Sequence, residues 1–317
     1  MQTFQQAFAQ IQPQLQSLEA VRKKQRSTSM ILTFSWLGLV IFGIFLMALT
    51  ESPEVIITLV ILIIAYGIIA LIFGQKAIRK YKRIFKDVVI GPLIKAIDPG
   101  LQYAKESFVS RAKYDESKIF LTGVDRYSGE DYVWGMVDKT AMEFSELHTQ
   151  YVTRDSKGRT QYHTIFKGLF MIADFHKEFK CRVVVMPDFS EKLFGGLAKF
   201  FQKMNLMRDQ LIYMEDPVFE KMFKVYSNDQ VEARYILSVN MLKRIVELKT
   251  RLNKNISISF INSKMFLAIS QTKNLFDPSM GKSVLNPEMI QEFYNQVLGC
   301  VQIVDDMNLN TRIWSKT

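Results

Sequence analysis

Two long runs without a charged residue dominate the first quarter of the chain. They are Met30–Thr50, "MILTFSWLGLVIFGIFLMALT", and Val55–Phe73, "VIITLVILIIAYGIIALIF". Each is about 20 residues, so as a helix each reaches ~30 Å, the thickness of a bilayer core. Between them lies only the short acidic loop 51–54, "ESPE". The pattern predicts two transmembrane helices, 30–50 and 55–73, forming a hairpin. Before it, Phe4, Phe8, Ile11, Leu15 and Leu18 recur at spacings of four and three, which predicts an amphipathic helix within 1–29 that docks on the soluble domain. Pro13 inside this seam argues against an autonomous coiled coil. After the hairpin, 74–112 reads as a basic juxtamembrane helix to about Ile90, with Ile78, Tyr81, Phe85 and Val88 near one face. "GP" at Gly91–Pro92 and "DPG" at Asp98–Gly100 then break it into a linker.

From about Lys113 the period changes from helical to alternating. Ile119–Pro187 reads as a β-meander of four or five strands, with "RDSKGRTQ" as a hairpin loop. "SEKLFGGLAKFFQKM" predicts a short helix, "LIYM" and "FKVYS" strands, and the stretch from Asp229 to Lys249 a helix. "NISISFINSKMFLAIS" predicts a hairpin turning at Asn262–Ser263, and Pro287 opens a closing helix. The fold class is α+β: a two-helix transmembrane hairpin followed by a mostly antiparallel β-sheet domain with three helices, 113–317. That domain is one fold or two packed halves, 113–190 and 205–317.

Charge sharpens this picture. The net charge is +10. Arg22, Lys23, Lys24 and Arg26 precede the hairpin; Lys76, Arg79, Lys80, Lys82, Arg83 and Lys86 follow it. These ten account for the whole excess of Lys+Arg, 41, over Asp+Glu, 31. Basic charge so placed belongs to a membrane surface and not to a nucleic-acid face. With both outer flanks basic, the positive-inside rule puts both termini in the cytoplasm of a multi-pass protein of the cytoplasmic (inner) membrane. Neither run carries an ionisable chain, so the hairpin reads as an anchor and not a transport path. Cys181 and Cys300 form no disulfide framework and suit a reducing compartment.

Candidate chemistry is sparse. His148, His163 and His176 have no metal-ligand spacing, and "MGKS" at Met280–Ser283 lacks the upstream glycine of a phosphate loop. No catalytic residue, cofactor or metal is expected. Asp229 and Glu232 have the spacing of a helix cap and its reciprocal partner. On one continuous helix Arg234 falls inside the apolar arc. Buried there it needs a carboxylate, and Glu215 and Asp216 of "YMEDP" are the candidates for an ion pair or partner site.

Four stretches occur in order: "FKGLFMIADF…RVVVMPD", "YMEDPVFEKMF", "KVYSNDQVEARYILS" and "ISISFINSKMFLAIS…LFDP". Together they resemble a bacterial family of uncharacterised membrane proteins, domain of unknown function 3137, from about Phe108 to Trp314 and including the two spans. The resemblance implies a bacterial cytoplasmic-membrane protein and transfers no reaction or ligand residue. The expected function is a membrane-anchored interaction or scaffold module, with the bilayer and a protein partner or a second copy as its contacts. The alternatives are an enzyme of unrecognised type, with Arg234, Glu232 or His163 near its site, and an anionic-lipid-sensing domain using Lys76–Lys86.

Overall fold

The computed structural model describes residues 2–50, 52–175, 177–188, 209–307 and 309. The chain divides into a helical unit, 1–97 with 276–294, and a sheet unit, 98–275 with 295–317.

The helical unit begins with α1, Phe4–Leu49, a single helix of 46 residues. Thr3 and Gln6 form a capping box that satisfies its first turn. The N-terminal seam is therefore not a separate helix: it is the lower half of the first apolar helix, and Pro13 sits exposed within it. Ala7, Ile11, Leu15 and Leu18 form its buried stripe, while Phe4 and Phe8 are half-buried. α2 spans Pro53–Phe85, with proline at its first turn. It runs through a π-helical turn, Lys86–Ile90, into α3, Gly91–Ile97. Gly91–Pro92 thus does not break the helix. The Gly91 N–H donates to Lys86 O, five residues back, and such a widened turn absorbs a proline that can give no bond of its own.

α1 packs on α2, the π turn and α3. Tyr81, Phe85, Val89, Ile90, Leu93, Ile94 and Ile97 are fully buried. Residues 276–294, expected within the C-terminal domain, group with these helices: Phe293 meets Phe85 at 5.0 Å and Tyr294 meets Phe4 at 5.7 Å between ring centroids. Higher up, α1 and α2 are held by Ser35 and Tyr66, 2.7 Å apart, and by the Trp36 indole donating to Ile63 O at 3.2 Å. Both helices contain stretches long and apolar enough to cross a membrane.

Among the described residues the sheet unit holds nine antiparallel strands: β1 Gln102–Ala104, β2 Arg126–Val137, β3 Thr140–Arg154, β4 Thr160–Asp174, β5 Val183–Pro187, β6 Gln210–Ile212, β7 Phe223–Ser227, β8 Ile256–Ile261 and β9 Lys264–Ser270. Their order is β1-β2-β3-β4-β9-β8-β5-β7-β6. The expected meander stops after β4, because β9 and β8 insert between β4 and β5. Strands from the stretches 113–190 and 205–317 share one sheet. Asn262 (φ 52°) and Ser263 (φ 55°) make the β8–β9 turn, and two successive positive φ values match the twist of a tight hairpin.

The helices are α4 Arg111–Glu116, α5 Pro217–Met222, α6 Gln230–Ile236, α7 Val239–Leu252 and α8 Pro287–Asp306. The helix expected from Asp229 to Lys249 is thus two, parted where Leu237 leaves helical geometry (ψ 56°) and Ser238 starts α7. The helix expected over "SEKLFGGLAKFFQKM" lies outside the described residues. Leu169, Phe170, Met171 and Ile172 of β4 are all buried, so both faces of the sheet are covered there. One face carries Tyr114, Leu147, Phe166, Phe170, Val184, Met186 and Phe266 in a single cluster.

Candidate functional site

Three places bring polar chemistry together. The first surrounds α6. The Asp229 carboxylate caps the helix, accepting from Val231 N at 2.8 Å and Glu232 N at 2.9 Å. The Glu232 carboxylate turns away from the cap and accepts from Lys180 N and Cys181 N, fixing the chain just before β5. Burial, with Glu232 adjacent, pushes the Cys181 thiol up to about 12, so it is inert as a nucleophile.

Arg234 does not face the core. It is exposed and donates to Tyr213 O at 3.4 Å. With its amide oxygen turned toward the guanidinium, Gln230 accepts from Nη1 at 2.8 Å and Nη2 at 2.9 Å. The expected carboxylate partners are elsewhere. Asp216 caps α5 through Val218 N and Phe219 N, and Glu215 is exposed. The arc that placed Arg234 inside assumed one continuous helix, and the break at Leu237 removes it. Around Arg234, Tyr213, Val231 and Tyr235 are exposed apolar side chains.

The second place is a cleft of about 290 Å³ in the sheet unit, with Glu130, Glu146, His148, Lys167, Gln271 and Asn274 among its lining. Glu130 and Glu146 face each other across β2 and β3. A bulge follows Glu130, and there Asp131 takes a left-handed conformation (φ 64°) and is fully buried. Oxygens of all three carboxylates lie within 4.8 Å of one another. Tyr103 donates to Asp131 at 2.5 Å, Asn274 to Glu130 at 2.6 Å, and Leu275 N to Glu146. Such a set can hold a hard divalent cation, and it is equally a set of carboxylates with protein donors. Burial and then the neighbouring Lys167 and Arg126 lower the affinity of His148 for a proton. His163 stacks on Tyr151 at 4.7 Å, and His176 lies outside the described residues. Sequence reading passed over this trio; the adjacent acids Glu130–Asp131 inside a strand pattern were the available signal.

The third place is the lower helical unit. Arg22, expected at the membrane surface, is buried. It grips Glu19 with two bonds, Nε at 2.8 Å and Nη2 at 2.6 Å, and its Nη1 donates to Met280 O at 2.6 Å. Glu19 also accepts from Val284 N at 3.1 Å. The Met280–Ser283 stretch therefore lies against an ion pair of the same unit. The Arg22 bond, working against burial, lowers the Glu19 carboxyl to about 2. Lys82 binds Asp277 at 2.5 Å and Lys86 is 4% exposed. Lys23, Lys24, Arg26, Lys76, Arg79, Lys80 and Arg83 are exposed.

The chain thus combines an apolar helical hairpin with an antiparallel α+β unit. Residues 164–309 match the family described as "Protein of unknown function (DUF3137)", so the resemblance to that family is shown from within β4 through α8. The matched span is narrower than the sequence motifs suggested, with 108–163 and both apolar helices outside it. No curated protein matches the chain. Among solved structures, the crystal structure of the mycobacterial trehalose monomycolate transport factor A, TtfA, is similar at 11% identity over 65% of this chain and 93% of that one, with a TM-score of 0.32. A likeness at that level carries neither fold nor function across.

Proposed function

We propose that the chain is a membrane-anchored module: the helical hairpin crosses the cytoplasmic membrane with both termini in the cytoplasm, and the sheet unit engages a protein partner around Arg234. The exposure of the hairpin carries the first part. Twenty-two large apolar side chains between Met30 and Phe73 stand exposed on α1 and α2. Even at about 1 kcal/mol for each half-exposed side chain, water would cost ~20 kcal/mol, more than the 5–15 kcal/mol that holds a typical domain together. A bilayer removes that cost. The basic flanks on one end and Glu54 on the other support the orientation. The chain is expected to stay with the membrane pellet in alkaline carbonate, and tags at either terminus to survive protease added to spheroplasts. Release by carbonate would overturn the anchor, and loss of the C-terminal tag the orientation.

The partner surface rests on the exposed Tyr213 and Tyr235 beside an arginine, with Val231 exposed between them; tyrosine and arginine are enriched in binding hot spots. A photoreactive group at Val231 in native membranes is expected to trap one abundant protein, or a second copy. Arg234→Ala should abolish that adduct while moving the unfolding free energy by under ~0.5 kcal/mol, because the side chain is exposed and pairs with no carboxylate among the described residues. An unchanged adduct would remove Arg234 from the surface. A large loss of stability would return it to a structural role.

A further inference from the structure

We infer that Lys23, Lys24 and Arg26 on α1, with Lys76, Arg79 and Lys80 on α2, form a binding collar for the phosphate headgroups of anionic phospholipids. This rests on the membrane reading above. The structure sorts nine of the ten basic residues of the flanks, all but Arg83, into two kinds. Arg22, Lys82 and Lys86 are drawn into the protein, as described. The six named here are exposed, and no carboxylate bonds to them among the described residues; Arg79 reaches only the neutral Gln75 amide, at 3.5 Å. The nearest acids are otherwise placed: Glu19 is held by Arg22, Asp277 by Lys82, Asp87 lies seven residues beyond Lys80, and Glu51 and Glu54 are at the opposite end of the hairpin.

The placement fits a headgroup layer. Ser29 of α1 sits against Gly74 of α2, so 23–26 and 76–80 share one level. Lys76, Arg79 and Lys80 are spaced three and four apart and share one face of α2, while Ala77, Tyr81 and Phe85 form its buried face. They follow Phe73 by three to seven residues, about 5–10 Å along the axis. That is the depth of the polar zone, which adds roughly 5–8 Å on each side of the hydrocarbon core. Topology alone asks only for an excess of Lys and Arg near the cytoplasmic ends, whatever carboxylates lie beside them. A one-level collar with no carboxylate bonded to it among the described residues concentrates anionic phosphate there.

The test uses the full chain in nanodiscs of phosphatidylcholine mixed with phosphatidylglycerol, with retained lipid counted by native mass spectrometry. Phosphatidylglycerol should be enriched over its bulk share. The triple variant Lys76→Gln, Arg79→Gln, Lys80→Gln, which keeps Arg22, Lys82 and Lys86 in place, should lower that enrichment at least about fivefold, the effect of even one surface cation. No enrichment in the wild type, or equal enrichment in the variant, would overturn the collar. Loss of enrichment on adding inorganic phosphate, but not chloride of matched ionic strength, would reassign the ligand to free phosphate and overturn the lipid. Failure to enter nanodiscs of phosphatidylcholine alone would instead defeat the membrane reading.

Discussion

Arg22→Met is expected to destabilise the helical unit by about 3–5 kcal/mol, the cost of leaving one member of a buried ion pair alone. Glu19 and Arg22 side chains are each 6% exposed. Without the guanidinium, Glu19 keeps only hydrogen bonds, and Met280 O loses its donor. The double variant Glu19→Gln, Arg22→Met removes both charges and should recover most of the loss, since a neutral pair carries no desolvation debt. Unfolding of the full chain in detergent, with proteolysis within 276–286 as a second readout, measures both. A single variant within ~0.5 kcal/mol of wild type would show that the pair contributes little. Acid gives an independent check. The Glu19 carboxyl falls from 4.5 to about 2 on folding. A depressed carboxylate contributes stability that is fully present above pH 4.5 and is lost as pH falls toward 2, here roughly 3 kcal/mol. In Arg22→Met most of that acid sensitivity should vanish.

Gly168→Ala is expected to cost the sheet unit about 3 kcal/mol or more. Gly168 of β4 stands opposite Leu147 of β3 and Ser270 of β9. Its φ is 151°, and a Cβ there would lie 2.0 Å from Ile269 O and 3.0 Å from Gln271 N. The obstacles are backbone of β9 and of the residue that follows it, so β4 and β9 must part to admit one methyl group, in addition to the conformational strain. Gly158 in the β3–β4 turn separates the two causes. It also has positive φ, 76°, but nothing lies within 4 Å of its Cβ position, so Gly158→Ala should cost only about 1 kcal/mol. Urea midpoints of the two variants decide: equal losses would refute the steric account.

The residues that were legible in the sequence share a property: their fate is set locally. The apolar runs 30–50 and 55–73, the Asn262–Ser263 turn and the Asp229 cap depend on neighbours a few positions away. What misled depended on distant chain. Arg22 looks like membrane-flanking charge until residues 280–284 close over it. Lys82 likewise finds Asp277, 195 positions later. Gly91–Pro92 reads as a break because a π turn leaves no signature in composition. The apolar period runs across Ser238 without a gap, so it gives no sign that a second helix starts there. Arg234 inherited the error, because the arc that put it in the core ran on past Ile236, two residues later, where α6 ends. The acidic cleft needed the register of β2 on β3 and the return of residues 271–275, neither of which periodicity supplies.

The strand order also bears on how the protein is made. After β4 the chain must wait for β8 and β9 before the sheet can close across its middle. At 5–20 residues per second, the interval from residue 174 to residue 270 lasts roughly 5–20 s on the ribosome. Throughout it β4 presents an open edge beside the apolar run Leu169–Ile172, the combination that invites wrong pairing. By then the two apolar helices have already emerged. On the anchored reading proposed above, the growing chain is by then held at a bilayer, spread over a surface instead of free to collide in solution while that edge is open.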